Sequence, residues 1–150
     1  MRRGLHMPIV TRLMERSVPR NTESLAVLVD FVRDFLEAEH LSKDLAFDLD
    51  LVIEELFTNL VRHGRAEGDI LVRLERTPGE VHVRLRAAEP SPFDPTSVPP
   101  VNVDLPIEDR RPGGLGIHLV RKMCRQFRYE WHDGVGTTLA VVGVSDSCSS

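Results

Sequence analysis

The sequence predicts an α+β fold, a two-layer sandwich with a mixed sheet covered on one face by three helices. Two observations carry that expectation. Apolar residues recur at the helical period in some stretches and alternate at period two in others. Their order along the chain, strand-helix-helix-strand-strand-loop-helix-strand-strand, places the helices together on a single sheet.

The stretch "PIVTRLMERSV" opens the chain as a strand, with Val10, Leu13 and Val18 as its inward residues. Pro19, Arg20, Asn21 and Thr22 break it, and Asn21 or Thr22 supplies an oxygen to cap the helix that follows. That helix covers about residues 23–38, with Leu25, Leu28, Val29, Val32, Phe35 and Leu36 on its apolar face. Ser42 caps a second helix, in which Leu49, Val52, Ile53, Leu56, Phe57, Leu60 and Val61 hold the helical spacing until Gly64 ends it. "DILVRLE" and "EVHVRLR" then alternate around Thr77-Pro78-Gly79, a hairpin signal. Residues 87–112 are rich in Pro, Ser and Asp and have no period, as in a functional lid or a disordered segment. "GGLGIHLVRKMCRQF" restarts as a glycine-rich lead into a helix, and "RYEWHDGVGTTLAVVGV" reads as two strands around Asp133-Gly134. Residues 1–7 read as an extension, 8–144 as one domain and 145–150 as a disordered tail.

Bulk properties narrow the function classes. A chain of 150 residues, 41% of them hydrophobic, supports one domain with a real core. Its net charge of −4 argues against a nucleic-acid or membrane-surface binder, which usually carries a basic excess. No apolar run reaches the roughly 18–20 residues of a membrane span, and no signal-peptide pattern opens the chain. Cys124 and Cys148 read as free thiols of a cytoplasmic protein.

Three pieces carry chemistry. In "IEELFTNLVRHG", Glu55 and Asn59 lie one turn apart at the edge of the apolar stripe, and His63 follows a turn later. A carboxylate there suits a general base, and an amide oxygen suits Mg²⁺ beside phosphates and water. A solvated polar flank is the simpler account of the same spacing. In "RRPGGLGIHLVRK", Gly113, Gly114 and Gly116 stand directly before a helix, where free N–H groups favour an anion; a purely conformational turn fits equally. In "VGTTLAVV", Thr137 can offer a hydroxyl to a ligand or simply favour a strand.

Taken in order, "EELFTNLVRHG", "PSPFDP" and "GGLGIHLVRKM" resemble the GHKL ATPase domain and, more narrowly, the bacterial anti-sigma-factor serine kinases. The resemblance implies the GHKL (Bergerat-type) mixed sheet with nucleotide on its helical side. It implies ATP and Mg²⁺ as cofactors, a serine of an anti-sigma antagonist as substrate, a sequestered sigma factor and a homodimer. It makes Glu55 the catalytic base and Asn59 the Mg²⁺ ligand. The nucleotide-contacting positions it implies are Asn59, His63, Ala88, Gly113, Gly114, Leu115, Gly116 and Thr137. The chain departs from the pattern at "RAAEPSPFDP". Counting back from Phe93, Ala88 stands where the family has the aspartate that accepts from adenine, and Pro90 where it has glycine. Glu89, next to Ala88, is expected to point to the other side of the strand. Two functions follow: a serine kinase, or a regulator-binding protein on the same fold without ATP.

Overall fold

The computed structural model describes residues 10, 12–64, 66–97 and 114–144, with residues 114 and 115 given by their backbone alone. The elements are β1 (Arg12–Val18), α1 (Ser24–Ala38), α2 (Asp44–His63), β2 (Ile70–Thr77), β3 (Glu80–Ala88), α3 (Gly114–Met123), β4 (Gln126–His132) and β5 (Val135–Gly143). A 3-10 turn at Pro95–Ser97 lies between β3 and α3. The sheet has five strands in the order β1-β2-β3-β5-β4.

The α+β layering matches the sequence expectation, but the sheet is not mixed. Every pairing among the described residues is antiparallel. The crossover through α3 joins β3 to β4, and these two strands do run the same way. β5 lies between them, however, so their parallel relation never becomes a hydrogen-bonded ladder.

Local chemistry sets the element ends. Asn21 Oδ1 accepts from Ser24 N at 3.2 Å and begins α1, and Ser42 Oγ accepts from Asp44 N at 3.1 Å and begins α2. The Pro78-Gly79 turn needs φ +78° at Gly79. Asp133 and Gly134 take φ +50° and +79°, the two left-handed positions that a two-residue hairpin of the right twist demands.

The core lies between the helices and one sheet face. Phe35, Val52, Phe57, Val72, Leu74, Val81, Val83, Ala140 and Val142 are all fully or almost fully enclosed there. Two sequence assignments shift. In α1, Phe31 is buried, whereas Val29 is 38% exposed because it lies about 100° around the helix from Leu28. In β1, Val18 is buried but Leu13 is 45% exposed: five residues apart on a strand, the two point to opposite faces. Val10 is likewise exposed. Among the described residues, no helix is long and apolar enough to cross a membrane.

Candidate functional site

The site begins on α2, whose buried stripe (Val52, Ile53, Leu56, Phe57, Leu60) leaves Glu55 and Asn59 half-buried at its edge. Glu55 meets α3. A methyl group added to Gly116 would lie 2.0 Å from the Glu55 carboxyl carbon, so only glycine lets α3 approach that side chain so closely. Burial raises the Glu55 pKa above its ordinary 4.5; Glu54 adds to the rise and Arg62 opposes it. A carboxylate in this setting holds a proton more tightly than one in water, which suits a general base.

Asn59 follows one turn on, and His63 one turn further. His63 is exposed, with its ring 6.4 Å from that of Phe93, so this edge of α2 runs from α3 to the start of the lid. Among the described residues, no cluster of three His, Cys, Asp or Glu side chains exists to cage a metal. A single amide oxygen completed by phosphates and water is the set Mg²⁺ commonly takes, so Asn59 fits that ion only beside a phosphate ligand. Of the glycine-rich lead, Gly114 is the first residue of α3 and Gly116 lies in its first turn. Gly113 and the side chain of Leu115 lie outside the described residues.

The lid's first residues are tied down by β4 and α3. Tyr129 Oη accepts from Phe93 N at 2.9 Å, Trp131 Nε1 donates to Glu89 O at 3.0 Å, and Arg121 Nη2 donates to Thr96 O at 2.8 Å. Tyr129 closes against Gly136, where an added methyl would lie 2.5 Å from its hydroxyl.

Two positions that the resemblance assigns to the nucleotide lie on the outer face of the sheet. Val81, Val83, Leu85 and Ala87 of β3 face the helices, so Ala88 faces away. Thr137 pairs with Arg86 on that same outer face and lines a polar concavity of about 300 Å³ with Arg73, Arg84 and Glu130. A one-residue difference in register exchanges the faces. The residues on the helical side are Thr138, which pairs with Leu85 and is 3% exposed, and Glu89, also 3% exposed.

Glu89 points to the opposite side of the strand from Ala88, as expected, which here is the helical side. Its Oε1 lies 3.0 Å from Arg20 Nη1, in an ion pair whose side chains are 8% (Arg20) and 2% (Glu89) exposed. Arg20 also donates to Ala88 O at 2.9 Å. Gly64, at the end of α2, makes room: a methyl there would lie 2.5 Å from both Arg20 Nη1 and Leu60 O. The sequence reading took Arg20 for part of a strand-breaking turn and gave it no role. An arginine and a glutamate 69 residues apart carry no local signal of their pairing.

Comparison with known proteins gives the family and the fold. Residues 18–142 match the histidine kinase-like ATPase domain. The chain belongs to that family. It is 30% identical over 96 residues to the serine/threonine-protein kinase BtrW of Bordetella bronchiseptica, covering 62% of this chain and 67% of that one. The fold is similar to a crystal structure of the RsbU and RsbW domains of a Mycobacterium tuberculosis protein, with a TM-score of 0.62 over 89% of this chain and 14% identity. This chain spans 33% of that longer one.

Proposed function

We propose that the chain is an ATP-dependent serine kinase that also holds a sigma factor, its substrate being the protein that antagonises that hold. One observation carries the reading. Glu55 is half-buried, its pKa is raised, and it sits against Gly116 where α2 meets α3. Membership of an ATPase family and the likeness to a serine/threonine-protein kinase support it.

In this reading Mg-ATP supplies the phosphoryl group. Asn59 would hold the ion through its amide oxygen, and the backbone N–H groups of the Gly113–Gly116 stretch would take phosphate oxygens. Glu55 accepts the serine hydroxyl proton as that oxygen bonds the γ-phosphorus and the bond to the leaving ADP oxygen breaks. At the adenine end, Thr138 is the hydroxyl that β5 offers on the helical side, with His63 and Phe93 at the border.

A second reading, a regulator-binding protein without ATP, is favoured by the Arg20–Glu89 pair, because Arg20 already satisfies that carboxylate. Calorimetric titration with Mg-ATP separates the two. The kinase reading expects saturable binding that weakens in Asn59→Ala, and transfer of labelled phosphate to the antagonist that stops in Glu55→Gln. Absence of any binding heat or thermal shift moves the conclusion to the second reading.

A further inference from the structure

The groove between α1 and α2 plays no part in that chemistry. Leu25, Ala26 and Val29 of α1 face Ile53 and Glu54 of α2 across a hollow of about 200 Å³. Its floor is apolar and closed, with Leu28 and Ile53 at 1% and 2% exposure, while Val29 on the lip is 38% exposed. A hollow of this size admits one or two side chains rather than a nucleotide.

Asp50, on the groove wall, provides a second observation. Its Oδ2 lies 3.5 Å from Arg33 Nη1, but its Oδ1 is buried and has no hydrogen-bond donor among the described residues. A buried carboxylate oxygen without a donor is costly unless something brings one. Glu54, exposed on the same wall, is one helical turn from Asp50. The groove therefore carries two carboxylates, with Arg33 beside one of them.

We propose that this groove docks a helix of a partner protein, one that inserts an apolar side chain between Val29 and Ile53 and brings an arginine to Asp50 and Glu54. A channel between two packed helices is shaped to take the side-chain ridge of a third. A guanidinium offers five donors in one plane, enough to reach two carboxylates a turn apart. Charge selects a basic partner over a second copy of this chain, whose own net charge is −4. The inference stands whether or not the chain transfers phosphate.

The probe is a pair of synthetic 16-residue amphipathic helices with the same leucine stripe, one with arginine and one with glutamate at its centre. Each is titrated into the full chain by fluorescence anisotropy. The arginine peptide is expected to bind saturably, and the glutamate peptide at least about ten-fold more weakly. Val29→Glu should weaken the arginine peptide by about ten-fold or more, and Asp50→Asn should narrow the gap between the two peptides. Glu54→Gln, at an exposed position, repeats the charge test if Asp50→Asn does not fold. Thr137→Val, on the outer sheet face, should change nothing. Equal binding of the two peptides, no binding of either, or binding untouched by Val29→Glu overturns the proposal. So does a change in the mass of the free chain in Val29→Glu, because a second copy would then be the occupant.

Discussion

Glu55 owes its basicity to burial, and the same burial makes its charge unfavourable to the fold. Its folded pKa lies above the ordinary 4.5, so the folded chain holds this proton more tightly than the unfolded chain does. The stability this contributes is fully present below the unfolded value and is lost as pH rises through the folded one. Glu55→Gln keeps the shape without the charge. Relative to the native chain it is expected to gain stability as pH rises through the raised pKa, with the gain fading below about pH 4.5, as thermal melts across pH will read. Transfer to serine in the same variant should fall by roughly 10²–10⁴-fold, and the rising limb of the native pH-rate profile should lie above the ordinary glutamate range. Ala88 and Thr138 make a second residue-scale test. Ala88→Asp puts its carboxylate on the outer face, so calorimetry should find Mg-ATP affinity unchanged. Thr138→Val, on the helical face, should weaken ATP by several-fold, in line with one lost hydrogen bond. Glu55 and Asn59 were legible in the sequence because one helical turn is a local relation. The face on which Ala88 lies was not legible, because the count back from Phe93 ran through a proline-containing stretch where one residue more or less exchanges the two faces of a strand.

Elements meet in this fold through a few long-range polar contacts that hydrophobic periodicity cannot report. Helix starts at Asn21 and Ser42 and turns at Pro78-Gly79 and Asp133-Gly134 could be read directly, since each depends on two or three adjacent residues. The strand order could not, because β5 reaches β3 only after the lid and α3 have carried the chain across. The Arg20–Glu89 pair belongs to the same class of non-local information. Arg20 leaves the β1–α1 turn to reach the Glu89 carboxylate and the Ala88 carbonyl, beside the end of α2, so three element ends share one guanidinium. Arg20→Met would leave Glu89 enclosed without its counter-charge, and urea unfolding is expected to show a loss of about 3–5 kcal/mol. Adding Glu89→Gln should recover part of that loss, because a neutral amide costs less to enclose than an unpaired carboxylate. If the single variant loses less than about 1 kcal/mol, the pair is no clamp.

At the scale of the whole molecule, helices cover one face of the sheet and leave the other to its own side chains. That outer face is largely self-sufficient. Glu15 pairs with Arg73 and Glu75 with Arg84, while Leu139 and Val141 are buried among their neighbours. The open hydrogen-bonding edge is a different matter. Of the two edge strands, β1 and β4, β1 pairs among the described residues only with β2, and Leu13 on its exposed face is 45% exposed. Natural sheets seldom leave such an edge uncovered; Arg12 and Arg16 blunt this one with charge but do not satisfy its backbone. A second copy of the chain, related by a two-fold axis, would cover it by isologous contact. Light scattering at tens of micromolar protein is therefore expected to give twice the 16.9 kDa chain mass. Leu13→Lys should return the mass to one chain without lowering the thermal midpoint, since that side chain packs little within its own protomer. A monomer at that concentration would show that the edge strand's charges are protection enough. A dimer untouched by Leu13→Lys would place the contact elsewhere, and the α1–α2 groove would then be tested as its seat with Val29→Glu.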